Sequence, residues 1–294
     1  MRSAGGGERR QGGVLMPHIE DIKDRIGNIG QIEGVVVAMR AMAAAHAQEA
    51  RRHLQAIREH EETVARSMAE ALSLVPEMAS TKERGESEQT HLRIVVGAAQ
   101  GFSGQHNERI VTGALEQNDE PEDRQYLLIG QRCISEFAER GIRPLWSANM
   151  VAHAAEVPAL ASRIVDALFV PLERGEVHSV SIVYADPAST EMALTIRRLM
   201  PFDFGRITAP RRPSPPITLI PAPRLLEQLV EEYVFTEVCE ALMLGFAAEN
   251  DARMNAMTRA RSNVKEIAQD LQRKFHQVRQ EETTTEIIEL SGTS

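Results

Sequence analysis

The chain's first candidate for chemistry is the glycine-containing stretch Gly97-Ala98-Ala99-Gln100-Gly101-Phe102-Ser103-Gly104, which follows a strongly apolar run. A phosphate cradle needs either GxGxxG or GxxxxGK[ST], so that backbone N–H groups can face the anion and a lysine can reach it. This stretch has neither the glycine spacing nor the lysine. Ser103 also fails as an elbow nucleophile, because Gln105 stands where GxSxG requires glycine. The stretch reads as a tight strand-to-helix turn. His46, His53 and His60 recur every seven residues and would line one flank of a helix. Adjacent members would lie about 10 Å apart, too far to share a metal, so they read as a solvated flank. Asp186 and Glu191 could pair as carboxylates, but the sequence places no histidine or lysine beside them. Cys133 and Cys239 match no CxxC spacing, which argues against a disulfide or zinc framework. The residues point to no catalytic group, no cofactor and no metal.

The elements that carry these residues explain more. No proline interrupts residues 18–75 or the stretch from Arg224 to the C-terminus. As continuous helices, residues 18–75 and a second run from Arg224 to about Glu286 would reach roughly 85 and 90 Å, far beyond an average globular helix. Alternating steps of three and four along the first select Ile19, Ile22, Ile26, Ile29, Glu33, Val36, Arg40, Ala43, Ala47, Ala50, Leu54, Ile57, Glu61, Val64, Met68, Ala71 and Val75. Along the second they select Met243, Phe246, Asn250, Arg253, Met257, Ala260, Val264, Ile267, Leu271, Lys274 and Val278. Two apolar positions per heptad describe a coiled-coil seam. The two helices are therefore expected to pair antiparallel, with Asn250 and Arg253 as polar contacts that fix register. Gly27, Gly30 and Gly34 weaken the first helix and predict loosened early turns.

The middle has a different texture. Strands are expected at 92–98, 126–130, 142–146, 178–185 and 194–200, with helices at 132–140 and 157–172. Pro158 opens the latter near its first turn. Alternating strands and helices predict a largely parallel, Rossmann-like sheet with an antiparallel pair at its end. The fold class is thus a long antiparallel coiled coil of the N- and C-terminal helices with an inserted Rossmann-like α/β domain, a mixture of α+β and α/β. The expected parts are a disordered extension at 1–17, a coiled-coil helix at 18–80, an α/β domain at 90–208, a proline-rich linker at 209–223 and a second coiled-coil helix at 224–294. Residues 82–89 form a polar linker into the α/β domain.

Composition narrows the class. The chain has 294 residues, 43% hydrophobic and 26% charged, which suits one or two ordinary cores. Aromatics are only 4%, in keeping with Ala-, Leu- and Met-rich helices. A net charge of -9 argues against nucleic acid as a partner. No apolar run approaches the roughly 20 residues needed to span a bilayer, so membrane association would come through other proteins. Two isolated cysteines suit a reducing cytosol. The glycine- and arginine-containing N-terminal extension has no apolar signal core, and Met16-Pro17 offers a second start besides Met1.

Residues 32–45 (IEGVVVAMRAMAAA) are similar to the N-terminal signature of the gamma subunit of F-type ATP synthases, with Met39, Met42, Ala44 and Ala45 matching. Ala252-Arg253-Met254-Asn255-Ala256-Met257 and Ser262-Asn263 resemble that family's Ala-Arg-Met-x-Ala-Met and Asp-Asn-Ala segments. Val278-Arg279-Gln280, then Thr283, Thr284, Glu286 and Ile287, resemble its closing Ala-Arg-Gln-x-x-Ile-Thr-x-Glu-Ile. The Gly101 to Asn107 loop and Leu199-Met200-Pro201 match more faintly, and the segments keep the same order from about Ile19 to Ile288. The resemblance implies a central-stalk rotor that couples ion-driven c-ring rotation to ATP synthesis or hydrolysis at the beta subunits, without catalytic side chains of its own. The implied partners are the alpha and beta subunits, the epsilon subunit and the c-ring, at the cytoplasmic face of the bacterial plasma membrane. Residue by residue, Arg279, Gln280 and Thr284 would contact an acidic catch loop of beta, and Met39 and Arg40 a second beta loop. Ile32, Glu33, Gly34 and Gln100 depart from the usual pattern, and there is no room for the chloroplast cysteine insert. These departures are more similar to the alternate bacterial F-type enzymes called N-ATPases. Two alternatives stay open: a coiled-coil scaffold or rotor of another rotary ATPase, and an α/β enzyme with helical arms.

Overall fold

A computed structural model describes residues 19–75, 90–116, 124–187, 193–202 and 216–292. The N-terminal extension with its two candidate starts, the polar linker at 82–89, Glu191 and residues 209–215 of the proline-rich linker lie outside the described residues. The elements in chain order are α1 (Ile19–Leu72), β1 (His91–Val96), α2 (His106–Glu116), β2 (Arg124–Ile129), α3 (Gln131–Glu139), β3 (Trp146–Ala148), α4 (Val157–Glu173), β4 (Ser179–Ala185), β5 (Leu194–Met200) and α5 (Ala222–Gly292). The chain divides into two compact units, Met39–Thr258 and Met1–Ala38 with Arg259–Ser294.

The larger unit is built on one five-stranded sheet of order β3-β2-β1-β4-β5. β1 pairs parallel with β2 and β4, and β2 with β3, while β5 closes the edge antiparallel to β4. The mixed sheet is the expected one, with one displaced strand: residues 142–145 form the turn out of α3, and only Trp146–Ala148 pair. Pro144, which has no N–H to give a ladder, stands in that turn. α2 is the helix that the strand-to-helix turn at 97–104 leads into, although the short, mixed run after Gly104 gives it no bounds in the sequence.

Strands buried on both faces still alternate. Leu92, Ile94 and Val96 of β1 and Leu127 and Ile129 of β2 face one core with α4, α1 and α5. Val95, Tyr126 and Leu128 face the other, against Ile110, Val111 and Ala114 of α2 and Cys133 and Phe137 of α3. α4 contributes Val157, Leu160, Ala161, Ile164 and Leu168 at three- and four-residue spacing to the first core. Within this unit α1 and α5 run antiparallel, since Arg51 meets Asp251, Arg58 meets Glu240 and His60 meets Glu232. Ala71 and Leu72 close the end of the pair on Leu226.

In the smaller unit, Ile22, Val36 and Val264 are buried and Glu33 lies 3.7 Å from Arg261. The seam of α1 follows the expected positions except at Arg40, which is exposed while Met39 turns half inward. A guanidinium keeps its hydration, and the neighbouring thioether takes the stripe. On α5 the seam passes from Val264 through Ala268, Leu271 and Phe275 to Val278, leaving Ile267 47% exposed and Lys274 exposed. The expected loosening at Gly27, Gly30 and Gly34 is not seen: α1 continues through them, and a Cβ on any of the three would meet nothing.

Candidate functional site

In an open sheet of parallel strands, ligands bind beyond the carboxyl ends of the strands where the strand order reverses. Here the reversal lies between β1 and β4, so the loop leaving Val96 is where a ligand would sit. That loop is occupied by the chain itself. The Ala99 and Gln100 N–H groups donate to the two carboxylate oxygens of Glu249 on α5, at 2.9 and 3.1 Å. Two adjacent amides aimed at one carboxylate are the geometry by which such loops hold phosphate. The anion in this case is an internal side chain.

The site is closed around that carboxylate. Arg253, one turn along α5, pairs with Glu249, donates from Nη1 to Asn250 Oδ1 at 3.0 Å, and reaches the Gly101 carbonyl from Nε at 3.4 Å. Asn250 Nδ2 in turn donates to the Phe246 carbonyl at 2.8 Å. Glu249, Asn250 and Arg253 are each less than a tenth exposed. Asn107 Oδ1 accepts from the Ala98 N–H at 3.0 Å, and its amide donates to Glu136 at 2.6 Å. α5 comes this close because Gly245 has no side chain, as a Cβ there would lie 2.6 Å from Val96 Cγ1. Gly130 opens α3 at φ 100°, and a Cβ there would meet the Gly97 and Ala98 carbonyls at 2.6 Å. His106, the first residue of α2, is buried, and that burial and then the charges of Arg253 and Arg109 push its pKa down to about 4. It is neutral at physiological pH.

A second polar cluster joins the sheet edge to both helices. Arg197 of β5 pairs through Nη1 with Glu237, and with Glu240 at 2.8 Å; Arg58 of α1 donates from Nε to Glu240 at 2.9 Å. Tyr233 donates to Glu61 at 3.4 Å, and the Arg197 guanidinium lies 5.8 Å from the Tyr184 ring centroid. Burial alone would raise the Glu240 pKa, but hydrogen bonds from Arg58 and Arg197 hold it below the usual carboxylate range. Glu61 is raised, by burial and then by the charges of Glu237 and Glu240.

The residues singled out in the sequence fall into separate places. Asn250 and Arg253 are buried as expected of register contacts, but their bonds tie α5 to itself and to the β1–α2 loop rather than to α1. Every residue from Arg279 to Ser291 is exposed, so Arg279, Gln280 and Thr284 stand at an open helix end, with Thr284 Oγ1 donating to the Gln280 carbonyl at 2.8 Å. Ser103 is buried in the turn before α2. Of the three histidines, His53 and His60 lie on the solvated flank, whereas His46 packs its ring 5.9 Å from Phe246. Among the described residues no group of three or more His, Cys, Asp or Glu is arranged for a metal. Glu249, Glu237, Glu240 and Arg197 escaped the sequence reading. A partial signal existed: three glutamates fall on the inward side of an otherwise apolar, Ala-rich stretch of α5.

A family model described as ATP synthase matches residues 18–294. The ATP synthase gamma chains of Hyphomonas neptunium and Erythrobacter litoralis are each 27% identical to this chain, over 94% of it and 98% of their own length. Among solved structures, the fold is similar to a rotor chain of the Euglena gracilis mitochondrial ATP synthase (TM-score 0.61, 15% identity, 90% of this chain and 98% of that one). It is also similar to a central-stalk chain of the Tetrahymena thermophila mitochondrial enzyme (TM-score 0.56, 19% identity, 77% and 99%).

Proposed function

Since the chain belongs to the ATP synthase family represented by these gamma chains, we propose that it carries rotation from an ion-driven c-ring to the beta subunits of an F-type ATP synthase. It is the gamma subunit of the central stalk. In that role it performs no bond-making step. Rotation biases the nucleotide states of the beta subunits through contacts that differ from one state to another, and this needs a stiff element rather than a reactive side chain. The filled ligand crevice supports a non-catalytic part: Glu249 occupies the amides that a nucleotide phosphate would use. The α/β fold is thereby turned into a mount for α5.

The observation that carries the reading is the bare end of α5. A helix exposed from Arg279 to Ser291, with Ile287, Ile288 and Leu290 at 62, 63 and 75% exposure, requires a surrounding partner. A ring of alpha and beta subunits supplies one. Arg279, Gln280 and Thr284 are then placed to hydrogen-bond acidic loops of beta, by charge-assisted contacts that can break and re-form as the stalk turns. Met39 and Arg40 offer a second such contact. Epsilon and the c-ring are the partners of the α/β part. No helix of the described residues is long and apolar enough to cross a membrane, so attachment at the cytoplasmic face would be peripheral.

Expression with neighbouring subunit genes and purification through a tag on this chain tests the assignment. Alpha and beta subunits are expected to co-purify, and their absence would defeat it. Arg279→Ala with Gln280→Ala should leave the chain's own thermal melting unchanged, because both side chains are exposed, while ion pumping per ATP hydrolysed falls. Unaltered pumping would remove the catch assignment.

A further inference from the structure

If the chain is a rotor, torque must cross from the sheet to the helix pair without slip, and apolar contact alone is poorly suited to that. Dispersion and burial resist separation of two surfaces but are non-directional, so packed faces can slide past one another. Hydrogen-bonded ion pairs have fixed geometry and resist displacement along the interface. One such connection runs from the sheet edge into both helices. β5 contributes Arg197, on the same face as its pairing partner Ile182, which belongs to the core shared with α1 and α5. Its Nη1 holds Glu237 and Glu240, one turn apart on α5, and Glu240 also accepts from Arg58 on α1.

Burial sharpens this geometry. The Glu237 and Glu240 side chains are each 6% exposed and Arg197 is 28% exposed, while Arg58 stays 58% exposed. Two buried carboxylates on one guanidinium are costly to separate and cannot be replaced by water without opening the core. Tyr184 lies against the guanidinium and limits where it can swing.

We propose that Arg197 is a positioning residue for energy coupling: a strut that locks the α/β domain to the helix pair under torque. Its role rests on the rotor function proposed above. Because it touches no nucleotide, its loss should leave ATP hydrolysis intact and weaken what rotation delivers.

The test uses the assembled complex in lipid vesicles, with ATP hydrolysis, ATP-driven ion pumping and the torsional stiffness of the single rotor all measured. Arg197→Gln should hydrolyse ATP at the unaltered rate, pump several-fold fewer ions per ATP and twist more softly. Arg197→Lys, which keeps a charge but loses the fork, should restore part of the pumping. A triple variant, Arg197→Met with Glu237→Leu and Glu240→Leu, removes the ion pairs while keeping the volume filled. It should assemble and melt no lower than the unaltered complex yet still pump poorly, separating geometry from stability. Normal pumping by the triple variant overturns the strut. So does failure of Arg197→Gln and the triple to assemble while Arg197→Lys pumps normally, since Arg197 would then serve folding alone. If the unaltered chain itself fails to assemble with alpha and beta, the rotor function falls instead.

Discussion

Replacing Glu249 by alanine should strongly destabilise this chain at the β1–α2 loop. The substitution strips the Ala99 and Gln100 N–H groups of their acceptor, and bonds of that kind to a charged partner contribute about 1.5–3 kcal/mol each. It also leaves Arg253, whose side chain is 10% exposed, without its carboxylate, and breaking a buried pair in this way costs about 3–5 kcal/mol. The losses overlap, because one carboxylate serves all three donors, so the expected total is about 3–5 kcal/mol. Trp146, the single tryptophan, lies in β3 and reports on the sheet by its fluorescence. With a urea dependence of about 3 kcal/mol per molar, the unfolding midpoint should drop by about 1 M or more. Glu249→Gln keeps an acceptor and should lose less. A cycle with Arg253→Met should show strong coupling, the double variant costing well below the sum of the singles. A loss under about 1 kcal/mol for Glu249→Ala, or additive effects in the cycle, would refute the claim that this carboxylate fastens α5 to the loop.

Gly245→Ala should destabilise by about 1–2 kcal/mol despite alanine's better helix propensity, because the new Cβ would press on Val96; Val96→Ala in the same chain should recover part of the loss in urea melts. His106 has a folded pKa of about 4, with His91 likewise lowered to about 4, chiefly by burial. Between an unfolded value of about 6.5 and that of the folded state, only the unfolded chain takes up these protons, so stability should fall as pH drops through that window. His106→Gln should flatten the slope of urea midpoint against pH there. Burial pushes the thiols of Cys133 and Cys239 up to about 12, so neither should react with a maleimide at neutral pH until urea unfolds the chain. Labelling of the native chain, followed by mass spectrometry, would contradict that packing.

The local pattern in the sequence carried most of the fold. The strand at 194–200 and the helix at 157–172 lie where their residue types place them, because alternation and three-four spacing are read from neighbours in the chain. The seam of α1 was legible for the same reason. Where it slipped, two adjacent residues competed for one position: Arg40 and Met39 on α1, Ile267 and Ala268 or Lys274 and Phe275 on α5. A strict 3.5-residue repeat drifts against a 3.6-residue helix, so only the opposing surface decides which of two neighbours turns inward. Phe275 was the readable exception, since an aromatic outranks a lysine for a buried seam.

Sequence alone thus determined the long helices, the kind of sheet between them and the absence of a phosphate-binding glycine pattern at 97–104. Each follows from residues within a turn or two of one another. Tertiary structure alone decided what fills the place a ligand would take. Glu249 lies about 150 positions from the amides it caps, and Glu237 and Glu240 lie 40 and 43 from Arg197. A buried carboxylate is tolerable only where donors converge on it. That convergence is a property of the folded chain: the apolar, Ala-rich neighbours of Glu249 hint that it faces inward, but nothing local to it names the distant amides that it caps.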